Sequence, residues 1–244
     1  MDWDLVINRI SARPQGREPS LALLGKAHYL LGALEMRGVR VLNGERCYRI
    51  ATSKALQAAC LEKLGLPVPA TRLVSETELG RWGMMEDGYL LKPNAGGFGE
   101  GITHPGAFSR EAFQPDALAV VQELVKSRDQ KIHRVELIGG GIVYHASRPL
   151  EPGLFDYCLG RGDSPVHIEA CSTPTIRAEC EKIARAVGMD FGSVEYLVNS
   201  EGRAEYIDIN PVSSYHPEVE TFLGFDPTQR LADFIEKRYR FSGS

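Results

Sequence analysis

Two runs that alternate apolar and polar residues, KIHRVELI (131–138) and IVYHASRP (142–149), are separated only by Gly139, Gly140 and Gly141. Alternation at period two puts apolar side chains on one face of a strand, and a short glycine-rich break reverses the chain. An antiparallel hairpin is therefore expected here. FGSVEYLV (191–198) and AEYIDIN (204–210) repeat the pattern across NSEGR. If that turn centres near Glu201, Glu195 pairs close to Asp208, and Asp208 and Asn210 share one strand face.

Helical signals are interspersed. From Ser20 to Arg37 the residues Leu23, Leu24, Ala27, Leu30, Leu31 and Leu34 recur at helical spacing, and Gly38 is placed to stop the helix. DLVINRI (4–10) and VRVLN (39–43) flank it as strands, so the first 45 residues form one β-α-β unit. A second helix is expected from Thr52 or Ser53 to Gly65, after which Pro67 and Pro69 impose an extended segment. A short helical stretch near 76–82, a strand YLLKPN (89–94) and a strand at 117–124 follow. Thr173 and Pro174 start a long helix ending at Gly188, and Asp226 and Pro227 start the last one. Hairpins mixed with scattered helices, without repeats or long linkers, read as an α+β fold.

The chain has 244 residues, 43% hydrophobic and 25% charged. At that length roughly 70–75% of the unfolded surface can be buried. With 28 basic against 32 acidic residues and a net charge of −4, no basic face for nucleic acid is expected. No segment approaches ~18 uninterrupted apolar residues, so no membrane span is expected. MDWDLV lacks the features of a signal peptide. Cys47, Cys60, Cys158, Cys171 and Cys180 are odd in number and contain no CxxC, which reads as reduced thiols in the cytoplasm.

The chemistry-bearing residues fall in two places. Gly97, Gly99 and Gly101 follow a strand directly, where backbone N–H groups can approach phosphate oxygens, and Lys92 precedes them as a cation. A plain surface loop is the alternative. Glu195, Asp208 and Asn210 offer hard oxygen donors of the kind that hold Mg²⁺ beside nucleotide phosphates. A solvated strand face is the alternative there. Cys158 reads as a buried thiol rather than a nucleophile, Met84 and Met85 as packing, and Trp3 and Trp82 as structural. Tyr215 and His216 either sit near an acceptor or cap a loop.

In order, the chain reads TSK, LLKPNAGGFGEGI, VVQELV, RVELIGGGIVYHASR, VEYL and YIDIN, with Asn43-Gly44 before TSK and GLPVPAT (65–71) after it. Over roughly residues 40–236 this resembles the ATP-grasp superfamily, and within it the carboxylate–amine ligases similar to the ribosomal protein glutamate ligase and the lysine-biosynthesis ligases. The resemblance implies two α+β subdomains clasping ATP over residues 46–244, hinged near 121–126, after a short β-α-β unit at 1–45. It implies Lys54 and Lys92 on the phosphates and Gly96, Gly97 and Gly99 closing over them. Glu123, Leu124 and Val125 would read adenine through the backbone, and Arg134 and Arg148 would face the transferred phosphoryl group. Glu195, Asp208 and Asn210 would hold Mg²⁺, or Mn²⁺. Such chemistry needs cations, a metal and a closing loop rather than a nucleophile.

The implied activity is ADP-forming ligation of a carboxylate to an amine (or thiol) through an acyl-phosphate, on a small molecule or peptide. An ATP-grasp kinase, or a nucleotide-binding scaffold without turnover, are the alternatives. Ile132 stands where the family has Asp, and Phe155, Asp156, Tyr157, Cys158 and Leu159 replace a run carrying an Arg and an Asn. Arg161 or His133 are the residues available to compensate. The short N-terminal unit leaves strand edges and an apolar helix stripe, so a two-fold homodimer is expected, with a helix folded back on its own chain as the alternative.

Overall fold

The computed structural model describes residues 3–11, 20–81, 88–97, 99–103, 110–150, 166–169, 172–213, 215 and 217–240. The expectations for Trp82, Met84, Met85, Arg161, Cys171 and His216, and for the run 155–159 with Cys158, lie outside those residues.

The elements are β1 Leu5–Ile7, α1 Leu21–Met36, β2 Arg40–Leu42, α2 Glu45–Ala51, α3 Lys54–Lys63, β3 Thr71–Ser75, α4 Glu76–Arg81, β4 Tyr89–Pro93 and β5 Leu118–Glu123. There follow β6 Lys131–Ile138, β7 Gly141–Pro149, β8 His167–Glu169, α5 Pro174–Val187, β9 Phe191–Val198, β10 Ala204–Asn210, α6 Pro217–Leu223 and α7 Pro227–Arg240. The strands make a parallel pair β1-β2, a three-stranded antiparallel sheet β3-β5-β4 and a five-stranded antiparallel sheet β10-β9-β6-β7-β8. The α+β expectation holds. The helix α2, the short strand β8 and the helix α6 are additions; each is too short to carry a readable period.

The caps follow the sequence. Ser53 Oγ accepts from Leu56 N–H at the start of α3. Thr173 does the same for Ile176, with Pro174 at the first position of α5 and Gly188 left-handed at its end (φ 76°). The buried residues Ile176, Cys180, Ile183, Ala184 and Val187 of α5 lie at helical spacing and pack against Val135, Leu137, Val194 and Ile209 of the large sheet. That face is the main core. Cys47, Cys60 and Cys180 are free thiols, and burial pushes Cys47 and Cys180 up to about 12, so both stay protonated.

The apolar stripe of α1 is divided. Leu24, Ala27 and Leu31 pack with Tyr48 and Ala95, and Leu34 is also buried, whereas Leu23 is 37% and Leu30 47% exposed. The folded-back alternative thus accounts for four of its six residues. Trp3, expected to be structural, is 44% exposed.

Asn43 fastens the N-terminal unit to the large sheet. Its backbone is left-handed (φ 53°), which Asn tolerates better than most residues. Its amide donates to Phe191 O at 2.8 Å and Pro211 O at 2.9 Å, while its Oδ1 accepts from Asp190 N–H at 2.8 Å. Asn8 in turn donates to Asn43 O at 2.8 Å.

Candidate nucleotide and metal site

Lys54 begins α3, and three contacts place it. Its own N–H donates to Asn94 O at 2.9 Å, and Asn94 Oδ1 accepts from Ser53 Oγ at 2.9 Å and Ala55 N–H at 3.2 Å. One turn on, the buried Gln57 amide forms a two-point bond with the backbone of Ile209, accepting from its N–H at 3.1 Å and donating to its O at 3.2 Å. The first turn of α3 is thereby locked beside β10. Lys54 Nζ accordingly donates to Asp208 Oδ1.

Asp208 reaches that position through a bulge. Tyr206 pairs with Tyr196, yet Asp208 pairs with Glu195, so Ile207 is the extra residue between them. An extra residue re-aims the side chains that follow it. The expected Glu195–Asp208 juxtaposition is found, and Asn210 pairs with Ser193 one step along. Asn210 Oδ1 accepts from Val212 N–H at 3.0 Å. Gly192 permits a close approach behind this strand: a Cβ there would lie 2.5 Å from Asn210 O and 2.8 Å from Pro211 Cα.

One cleft is lined by Lys54, Lys92, Gly96, Gly97 and Gly99 together with Glu195, Asp208 and Asn210. Lys92 Nζ donates to Gln122 Oε1 at 2.6 Å, and Gln122 donates to Thr71 Oγ1 at 2.9 Å. Arg134 and Arg148 do not line the cleft. Arg134 is buried and shared between two carboxylates: Nε donates to Glu136 Oε1 at 2.7 Å and Nη1 to Glu195 Oε1 at 2.9 Å. Ser213 Oγ donates to the other oxygen of Glu136. Arg148 is buried on β7 opposite Ile132. Of the three residues expected to read adenine, Glu123 N–H donates to Ala70 O at 2.9 Å and Leu124 N–H to Gly88 O at 2.7 Å. Val125 packs against Ile132, Leu197 and Ile207.

The electrostatics follow from burial. Burial pushes the Glu195 carboxyl up to about 7, with Arg134 opposing the rise and Asp208 adding to it. Burial acts to raise Asp208 too, but Lys54 more than reverses this, and the group titrates below the usual carboxylate range. Burial, then repulsion from Lys54, lowers the Lys92 ammonium to about 8. Burial also opposes the charge of Arg134, and Glu136 and Glu195 outweigh it. Two adjacent carboxylates are relieved by a divalent cation, and the donors Glu195, Asp208 and Asn210 are all oxygen, which suits Mg²⁺. Among the described residues no group of three or more His, Cys, Asp or Glu side chains converges on a metal position. The third donor here is an amide.

Asn94, Gln57 and Gly192 are functional placements that the sequence pattern does not single out. Gly192 alone carries a signal, since glycine inside a strand marks a close backbone approach.

No family model matches the chain, and no curated protein sequence does. Solved structures are similar in fold. The ATP-grasp ligase PsnB, complexed with a phosphomimetic variant of a minimal precursor, Mg and ADP, superposes at TM-score 0.66 and 19% identity, covering 97% of this chain and 79% of that one. The VanG D-Ala:D-Ser ligase from Enterococcus faecalis gives TM-score 0.70 at 18% identity over 96% of this chain and 72% of that one. A D-alanine–D-alanine ligase from Bacillus anthracis complexed with ATP gives 0.65 at 16% over 90% and 77%.

Proposed function

The chain has the ATP-grasp fold, and on that footing we propose that it is an ATP-dependent ligase joining a carboxylate to an amine (or thiol) through an acyl-phosphate, with release of ADP and phosphate. The observation that carries this reading is one cleft lined together by two lysines, a glycine-rich loop and Glu195, Asp208 and Asn210. Phosphoryl transfer depends on positioning and charge neutralisation, and the cleft supplies both.

Lys54 and Lys92 bind phosphate oxygens; Lys92 is held at the correct height by Gln122. Glu195, Asp208 and Asn210 would hold Mg²⁺, which supplies charge neutralisation between phosphates when bound. Arg134 acts from behind Glu195, fixing its carboxylate, rather than from within the cleft. The apolar group Ile132, Leu197, Ile207 and Val125 forms the wall for adenine. Adenine's polar edge is left to carbonyl oxygens and to Val125, since the N–H groups of Glu123 and Leu124 are engaged. Related ligases bind peptide precursors or amino acids, as in PsnB and the D-alanine ligases, so both classes belong in a substrate screen.

The test is ADP release with Mg²⁺ and ATP over paired amino acids and short peptides. An amide product supports the ligase. A phosphorylated product without an amide would make the chain a kinase, and thermal stabilisation by MgATP without any ADP release would make it a nucleotide-binding scaffold.

A further inference from the structure

Alternation along β6 and β9 turns His133 and Tyr196 away from Arg134 and Glu195, to the sheet face that α5 covers. His145 joins them from β7, and none of the three lines the cleft. The expectation that His133 could compensate beside the phosphates is thus not met. Both imidazoles are buried, the residues 8% and 7% exposed.

A line of carboxylates and ring nitrogens crosses this face. Asp129 Oδ2, just before β6, lies 2.8 Å from His133 Nε2, and His133 Nδ1 lies 3.1 Å from His145 Nε2. His145 Nδ1 lies 3.5 Å from Glu169 Oε2 on β8. Each of these three gaps is filled by one hydrogen. Ionised carboxylates bring none and two neutral imidazoles bring two, so one gap stays open. With His133 Nε2–H donating to Asp129 and His145 Nε2–H donating to His133, the open gap is at His145 Nδ1. That atom is buried and has no hydrogen-bond partner among the described residues, and its lone pair then faces a carboxylate. A third proton closes the gap and sets one positive charge between two anions. A fourth would point two N–H groups at each other across 3.1 Å. The line therefore has room for one added proton between two rings.

The surrounding groups fit that count. Burial acts to raise Asp129, but hydrogen bonds from His133 and Ser127 outweigh it, and the carboxyl titrates below the usual range. Tyr196 stacks on His133 at 4.7 Å with its hydroxyl 3.3 Å from His145 Nε2, and burial pushes that phenol well above its usual range. Behind it, Tyr206 donates to Glu179, and Cys180 of α5 stays protonated. Lys131 on β6 and Ser147 on β7 share the face, and His167 Nε2 lies 3.3 Å from the other Glu169 oxygen in a more exposed position. Burial, then the charge of His133, holds His145 below the usual imidazole range, with Glu169 opposing, so the third proton arrives on the acid side of neutrality.

We propose that His133 and His145 form a site for a single proton, and that its occupancy fastens β8 to β7 through a hydrogen bond from His145 Nδ1 to Glu169. Among the described residues β8 is the edge of the large sheet and pairs with β7 alone. A charge-assisted bond gained or lost there sets how firmly that edge strand is held.

The test is a titration of the isotope-labelled chain from about pH 7.5 to about pH 4.5, followed by NMR at the ring signals of His133 and His145. The two rings are expected to report one shared step in which they bind one proton together. Hydrogen-exchange protection of the β8 amides, corrected for intrinsic exchange, is expected to rise about tenfold across that step. Two steps that bind two protons, or no step at all, overturn the proposal, as does a shared step that leaves β8 protection unchanged. Glu169→Gln changes a half-exposed side chain and removes the anion at one end of the line. In that variant the shared step is expected to move to lower pH and the tenfold gain to disappear; an unmoved step, or a gain that persists, overturns the proposal equally. These measurements use neither nucleotide nor substrate, so their outcome is independent of the ligase reading.

Discussion

Arg134 and Glu195 stand side by side on neighbouring strands, Nη1 to Oε1 at 2.9 Å, and both are almost wholly buried. The same guanidinium holds Glu136 at 2.7 Å. Removing one member of such a group leaves uncompensated charge in a dry interior, which costs about 3–5 kcal/mol. Arg134→Ala is expected to lose that much stability in urea titration. Arg134→Lys, which retains the charge without the planar fork, is expected to recover part of it. A loss below 1 kcal/mol for Arg134→Ala would mean that water already screens the pair.

Asp208, proposed above as a metal ligand, is ion-paired with Lys54, and both side chains are partly exposed. Asp208→Asn is expected to weaken the Mg²⁺-dependent part of nucleotide affinity about tenfold or more. The melting temperature is expected to move little. Calorimetry with ADP, with and without Mg²⁺, checks this, and an unchanged Mg²⁺ requirement would take Asp208 out of the site.

Lys92 makes a pH prediction whose sign is set by burial. Burial lowers its ammonium to about 8 in the fold, against 10.5 for an exposed lysine, so between those values the unfolded chain holds the extra proton. Stability therefore rises with pH across that window, and below about pH 8 the buried charge costs roughly 3 kcal/mol at most. Lys92→Met is expected to stabilise the ligand-free protein at pH 7, with the advantage shrinking as pH rises from 8 to 10.5. Denaturation midpoints at several pH values measure it; a constant difference would contradict the buried charge. The same variant is expected to weaken ATP binding far more than adenosine binding.

Gly192 has φ 148°, and any Cβ there meets the backbone of Asn210 and Pro211. Gly192→Ala is expected to destabilise by about 2–4 kcal/mol. In variants that still fold, Mg²⁺ dependence is expected to suffer with it, because the displaced strand carries Asn210.

Light scattering at micromolar concentration separates the two fates of α1. With four of the six stripe residues buried inside the chain, the expected mass is that of one 26.9 kDa chain. A doubled mass abolished by Leu30→Glu would instead establish the two-fold dimer.

Much of this architecture is legible in the sequence because its signals are local. Alternation marks both hairpins, and Ser53, Thr173, Pro174 and Gly188 mark helix ends through their own backbone preferences. The Glu195–Asp208 pairing could be read from the expected turn position. The rest is long-range. Gln57 bonds Ile209 across 152 residues, and Asn43 bonds Pro211 across 168. No periodicity reports such contacts. The two carboxylates around Arg134 were equally hidden, since the resemblance suggests a cation facing phosphate, and only the strand register reveals that Glu136 and Glu195 divide its charge.

The Lys54–Asp208 ion pair gives that carboxylate a tethered counter-ion of its own. A free magnesium ion arriving first must compete with that ammonium for the carboxylate. On the nucleotide reading proposed above, phosphates would offer Lys54 a more highly charged partner and leave Asp208 to the metal. On that reading the two ligands would be linked through one side chain, each raising the affinity of the other by the same factor. The chain should discriminate against bare metal and bare nucleotide alike, and take them up as a pair.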